Sequence, residues 1–160
     1  MDDEKFTFFH SGPFSQWHPS KFVDEDGIEY YCAEQYMMYK KAILFNDHIS
    51  ASRILKSRKP YEQKKLGRQV KGFKESTWKK NRLEIVYNGN ILKFKQNPEL
   101  REKLLQTSGT LVEASRNDTI WGIGLHAGDK RAHARSTWKG ANLLGETLTK
   151  VRNEIIFQEK

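Results

Sequence analysis

Cysteine is almost absent from this chain: its single occurrence, Cys32, excludes an intramolecular disulfide and a cysteine-rich zinc site. No apolar run approaches membrane-spanning length, and Met1-Asp2-Asp3-Glu4-Lys5 carries no signal-peptide pattern. Internal repeats and low-complexity segments are also missing. There is no phosphate-loop motif, no Gly-x-Ser-x-Gly elbow and no cysteine-protease context, so Cys32 reads as packing. His126 and His133 lack a third partner at metal-ligand spacing. These absences lead to an expectation of a soluble protein in a reducing, cytoplasmic compartment, with no membrane contact, no metal site and no cofactor.

What is present is charge. Lys and Arg number 28 against 20 Asp and Glu, a formal charge of +8, and the pI is near 9.5. Such a balance favours an anionic partner: nucleic acid, nucleotide phosphates or solvent alone all fit. Nineteen aromatic residues, four Trp, six Tyr and nine Phe, supply faces that can stack on bases, although most belong in a core. The length of 160 residues suits one domain, 1–160 with its core at about 6–157, that buries roughly 70% of its extended surface.

Phe6-Thr7-Phe8-Phe9 reads as a short strand ended by His10-Ser11-Gly12-Pro13, and Phe14 to Pro19 as an aromatic loop able to fold over a pocket. Lys21-Phe22-Val23 and Ile28 to Tyr31 flank an Asp-Gly turn and predict a hairpin. Asn46-Asp47 caps a second helix, Lys59-Pro60 opens a third that runs to about Val70, and Pro98 starts another, Glu99 to Gln106. Between them, Phe73 to about Gln96 is apolar at mixed helical spacing, with Asn88-Gly89-Asn90 as a kink. Leu111 to Ser115 is a strand, and Leu143 to Ile156 a closing helix with Leu144, Leu148, Val151 and Ile155 on one stripe. Helices dominate over a few short strands, which predicts an α+β domain.

The stretch Tyr30 to Phe45 holds the most chemistry. From Ala33 it predicts about three helical turns, on which Glu34 and Lys41, seven positions apart, lie within about 20° of each other and about 10 Å apart along the axis. Met37, Met38, Ala42, Leu44 and Phe45 fill the arc around them, whereas Gln35 and Lys40 project elsewhere. A carboxylate and an ammonium in an apolar arc are costly to desolvate unless paired, hydrogen-bonded or used. A solvated surface pair is the bland alternative, but the helix is apolar nearly all round.

Three further places could hold a substrate. Gly67-Arg68 and Lys71-Gly72 set cations beside flexible backbone, which suits a phosphate or a solvated helix end equally. Arg116 to Gly124 follows the strand with Asp118, Trp121, Gly122 and Gly124, a polar anchor and a stacking face beside two glycines, either a binding loop or a turn with a core Trp. It lacks the third glycine of a dinucleotide fingerprint. Lys130, Arg131, Arg135, Lys139 and Trp138 form a basic, aromatic loop with one acid, Asp129, suited to a polyanion or to solvent. Gly140-Ala141-Asn142 opens the last helix, whose backbone donors suit a phosphate.

Taken jointly, Ala33-Glu34-Gln35-Tyr36 with Lys41, Gly67-Arg68, Lys93-Phe94 before Pro98-Glu99-Leu100, Asp118 with Trp121-Gly122-Ile123-Gly124, and Gly140-x-Asn142-x-Leu144-Gly145 resemble the NADAR family in order and spacing. Phe14-Ser15 and Glu113 match too, so the likeness runs from about Phe6 to Ile155. Its YbiA-like members are N-glycosidases of ribosylamino-pyrimidine phosphates, early riboflavin intermediates; others remove ADP-ribose from guanine in nucleic acid, reversing DarT-type toxins. The resemblance implies cleavage of a ribosyl C1′–N bond on an exocyclic amine. It implies Glu34 as the catalytic carboxylate, Lys41 as the second essential group and Asp118 orienting the ribose. Arg68 and the loop at Gly122 and Gly124 would hold phosphates, and Trp121 would pack on sugar or base. Phe14, Ser15 and Trp17 would close the aromatic side, with Gln35, Met38 and Asn142 completing the substrate contacts.

Both substrate classes are glycosylamines. A lysine with a depressed pKa can attack C1′ and form a Schiff base, with a carboxylate shuttling protons, or the carboxylate can activate water directly. Lys41 as nucleophile and Glu34 as acid and base is the expectation here. Gln35 stands where YbiA-like members usually carry His, Ile123 where they carry Asp, and the basic loop is longer, which together favour ADP-ribosylated guanine in DNA or RNA, with a DarT-type toxin as functional counterpart. A non-catalytic reader of ADP-ribose or modified nucleic acid is the alternative from another class; retention of both Glu34 and Lys41 argues against it.

Overall fold

The computed structural model describes residues 4–160. Six helices and four short strands make it α+β. The chain divides into two compact units, Gln16–Asn97 and the remainder, residues up to Ser15 with Pro98–Lys160.

In the first unit, strands β2 (Phe22–Val23) and β3 (Glu29–Tyr30) pair antiparallel across the Asp-Gly turn. The Asp24 carboxylate fixes that turn by accepting from the Asp26 and Ile28 amides, and it also accepts the Tyr30 hydroxyl at 2.7 Å. Four helices follow: α1 (Ala33–Leu44), α2 (His48–Lys56), α3 (Pro60–Arg68) and α4 (Glu75–Gln96). Asp47 caps α2 by accepting from the Ser50 amide, and Pro60 occupies the first turn of α3, both where local chemistry places them.

Helix α1 packs against α2, α3 and α4, so it runs through the middle of this unit. Seven of its twelve residues are buried, including both predicted polar positions Glu34 and Gln35. An aromatic cluster of Phe22, Tyr30 and Tyr36 anchors its first turns, with Tyr30 and Tyr36 edge to face at 5.0 Å. Residues 88–90 do not interrupt α4, which is one 22-residue helix. Gly89 is there because the Tyr36 ring fills the space of a side chain: a Cβ would lie 2.6 Å from the ring. The glycine marks close helix packing rather than a break.

In the second unit, β1 (Phe6–Phe9) pairs parallel with β4 (Thr110–Glu113), Phe6 opposite Thr110 and Phe9 opposite Glu113. Parallel neighbours need a long crossover. Here it is the whole of residues 10–109. Helix α5 (Pro98–Leu105) and the last helix, α6 (Leu143–Gln158), pack together, and α6 covers β4. Val112, Ile123, Leu125 and Ala132 form a core that Phe6, Phe8 and Trp138 close. No described helix is long and apolar enough to cross a membrane.

Candidate active site

The first unit brings Glu34 and Arg68 within electrostatic reach of Lys41. Glu34 is 5% exposed in the first turn of α1, and its amide donates to the Gln16 carbonyl at 2.9 Å. Two turns on, Lys41 is half-buried, its ammonium 4.8 Å from the Phe73 ring and 5.4 Å from that of Trp78. Burial lowers the Lys41 pKa; Glu34 opposes that shift and Arg68, the last residue of α3, adds to it. An amine held this way is neutral more often at moderate pH than an exposed lysine, the state in which nitrogen attacks carbon. The carboxylate and amine that helical spacing put on one face thus share one environment.

Helices α1 and α3 are held together behind these groups. Met38, 6% exposed, occupies the space over Gly67, where a Cβ would lie 2.0 Å from its sulfur. Gln35 is wholly buried: its oxygen accepts from the Tyr31 amide, and its amide nitrogen donates to the Ile54, Leu55 and Ser57 carbonyls. The Ser57 carbonyl also accepts from Gln63 of α3. Gln35 and Met38 are therefore joints between helices, and the hydrogen bonds of Gln35 leave it no polar atom for the substrate contact expected of it. Because Gln35 is spent on backbone, its difference from a His at that position says nothing about the substrate.

Sequence reasoning gave no role to Lys93, which is 0% exposed in α4 with its ammonium 4.9 Å from the Phe94 ring. Burial pushes its pKa down to about 7, weakly opposed by Cys32. Both Lys93 and Glu34 act on Cys32, whose thiol burial pushes up to about 11. Its signals in the sequence were its apolar neighbours, Leu92 and Phe94, and its place in the Lys93-Phe94 piece of the family pattern. Trp17, 43% exposed, has the Lys64 ammonium 6.0 Å from its ring.

The second unit gathers the loop candidates. Asp118 accepts from the Ile120 and Trp121 amides through one oxygen, so it shapes the turn that carries Trp121. The amides of Ile123 and Gly124 donate to the Glu113 and Asp118 carbonyls. A Cβ on Gly122 would lie 2.9 Å from the Glu113 carboxylate, and Gly124 has φ +71°. These glycines let the loop fold on its own strand. The first amides of α6 are also occupied: Leu143 and Leu144 donate to the Ile120 and Trp121 carbonyls. Asn142, buried with φ 53°, accepts from the Glu113 amide and donates to the Leu111 carbonyl. The Ile123 and Gly124 amides, the start of α6 and Asn142 are thus engaged in an internal latch, at the place where the resemblance implied phosphate contacts for the loop at Gly122 and Gly124 and a substrate contact for Asn142. Phe14 packs edge to face on Phe9 at 5.8 Å, and the Ser15 amide donates to the Gly12 carbonyl.

The basic loop is less basic than its sequence. Arg131 pairs with Asp129 at 2.7 Å, and Arg135 pairs with Glu4 and Glu146. Trp138 packs on Phe6 at 5.3 Å and donates its indole N–H to the Ala132 carbonyl. Two of its four cations and its aromatic are thus used internally. Among the described residues, no three His, Cys, Asp or Glu side chains are placed to hold a metal ion.

The NADAR domain pattern matches residues 5–156. N-glycosidase R617 of Acanthamoeba polyphaga mimivirus is 43% identical over 167 residues, covering 96% of this chain and 98% of the viral protein. Protein irg-1 of Caenorhabditis elegans is 39% identical over 168 residues, covering 94% of this chain and 79% of its own. The NMR structure of the Escherichia coli protein YbiA shares the fold, with a TM-score of 0.79 over 99% of this chain and 89% of that one, at 24% identity. The family and the viral relative's name support hydrolytic N-glycosidase chemistry. By the extent of the pattern and the identity of these relatives, the chain belongs to the NADAR domain family.

Proposed function

We propose that the chain is an N-glycosidase that hydrolyses a ribosyl C1′–N bond on an exocyclic amine and releases ADP-ribose from guanine in nucleic acid. The observation that carries the reading is buried Glu34 beside a half-buried, pKa-lowered Lys41 with Arg68 at hand. Glu34 protonates the ring oxygen, so that the sugar opens to an imine at C1′. Neutral Lys41 attacks C1′, the guanine amine leaves with a proton, and a lysine–C1′ Schiff base remains. Water adds to C1′, the Lys41 nitrogen departs, and ADP-ribose is released. Arg68 supplies charge for a phosphate. The choice of a nucleic-acid substrate over a ribosylamino-pyrimidine phosphate is supported by the +8 charge.

Two substrates offered in parallel, an ADP-ribosylated guanine oligonucleotide and a ribosylamino-pyrimidine phosphate, test the reading. Release of ADP-ribose from the first and not the second is expected. Turnover of the second alone overturns the substrate assignment, and binding without release from either indicates a reader. Borohydride during turnover should leave an adduct on Lys41; an active enzyme without one means that Glu34 activates water directly.

A further inference from the structure

We propose that the groove between α2 and α3 is a docking track for the nucleic-acid strand that flanks the reacting nucleotide; this rests on the function proposed above. The groove encloses about 490 Å³ and is lined by Arg53, Lys56 and Ser57 on one side and Tyr61, Glu62 and Lys65 on the other. Three cations face one acid. None of Arg53, Lys56 and Lys65 makes an ion pair with another described residue, unlike Arg131 and Arg135 of the loop. All three groove cations are thus without an ion pair among the described residues, whereas two of the four cations at residues 126–140 are paired. Tyr61 is 62% exposed, and an exposed aromatic among cations is what a stacked base and its phosphates require.

Helix geometry connects this groove to the reactive amine. At about 100° per residue, Tyr61, Lys65 and Arg68 fall within an arc of about 60° on α3, and Arg68 is the cation that acts on Lys41. From Tyr61 to Arg68 the axial rise is about 10 Å, the length of about three phosphates at the single-strand spacing of a helix. The Ser57 carbonyl in the groove wall is the one that Gln35, next to Glu34, binds. A strand lying on α3 would thus be delivered towards Lys41 along a row of cations.

The test is fluorescence anisotropy with an unmodified, guanine-containing single-stranded dodecamer, as DNA and as RNA, against three proteins. These are the wild type, the groove variant Lys56→Glu/Lys65→Glu, and the loop variant Lys130→Glu/Lys139→Glu, which has the same change in charge. All four positions are exposed, and circular dichroism checks that each variant is folded. The groove variant should bind at least about tenfold more weakly, with a salt slope lower by about 1.4, two phosphate contacts at about 0.7 each, while the loop variant stays within about threefold of wild type. Equal losses in both variants, a loss confined to the loop variant, or no binding by the wild type overturns the proposal. Hydrolysis is scored separately: a wild type that binds through the groove and releases no ADP-ribose leaves the track standing and removes the activity assigned above.

Discussion

Replacing Lys93 with Met should flatten the rise in stability that the wild-type chain shows between about pH 7 and pH 8.5. Lys93 is 0% exposed, and burial lowers its pKa from 10.5 to about 7, with Cys32 pulling the other way. The unfolded chain, with an ordinary lysine, therefore binds more protons than the folded chain from about pH 7 to 10.5, and stability increases with pH across that window. At the lower end the folded amine is half protonated and at pH 8.5 nearly neutral, while the unfolded amine is charged at both; linkage gives a gain of roughly 2 kcal/mol. The window stops there because the Cys32 thiol, raised to about 11, begins to act with the opposite sign above its unfolded value of 9.0. Met has a similar length and no charge, so it keeps the packing and removes the titration. Urea unfolding followed by tryptophan fluorescence at constant ionic strength, with midpoint and slope fitted at each pH, reads the effect. Lys41 contributes a smaller rise in both proteins, since its pKa is also lowered. A wild type with a flat profile, or a Met variant with the wild-type slope, would refute the reasoning.

Glu34→Gln keeps shape and removes the proton shuttle proposed above, so on that proposal ADP-ribose release should fall about 10²- to 10⁴-fold with little change in stability; a loss under tenfold sinks the assignment. The rate of the wild type should rise with pH as the lowered Lys41 amine deprotonates, with a midpoint below the 10.5 of a free lysine; an unchanged limb in Lys41→Arg would mean another group is being read. Gly67→Ala sets a methyl against the Met38 sulfur and should cost about 1–2 kcal/mol in thermal or urea unfolding, a cost that Met38→Ala in the same chain largely removes. Asn142→Ala strands the Glu113 amide and Leu111 carbonyl and should cost about 2–3 kcal/mol; a change in KM with no change in stability would return Asn142 to the substrate.

Elements set by local chemistry were legible in the sequence. The Asp-Gly hairpin, the Asp47 cap, Pro60 and Pro98 in first helical turns and the whole of α1 form where their residues dictate. What escaped depends on partners far along the chain. Gly89 in sequence is as consistent with a kink as with close packing, and only Tyr36, 53 positions earlier, decides. Arg135 reads as a free cation until Glu4 and Glu146 arrive beside it. The face shared by Glu34 and Lys41 was readable from helical period, whereas the burial of Lys93 and the consumption of Gln35 and Asn142 by backbone groups were not. Polar side chains signal chemistry equally well whether they serve a substrate or a neighbouring carbonyl.

The Ser57 carbonyl accepts from Gln35 of α1 and Gln63 of α3 while it ends α2, so three helices meet at one acceptor. Opening α2 strands donors on both α1 and α3, and opening α1 or α3 takes a donor from that carbonyl, so the unit should exchange its amide hydrogens as a single cooperative block. For a reaction that needs a carboxylate on one helix and a cation on another, this converts what could be independent fluctuations of Glu34, Lys41 and Arg68 into one shared, rare event.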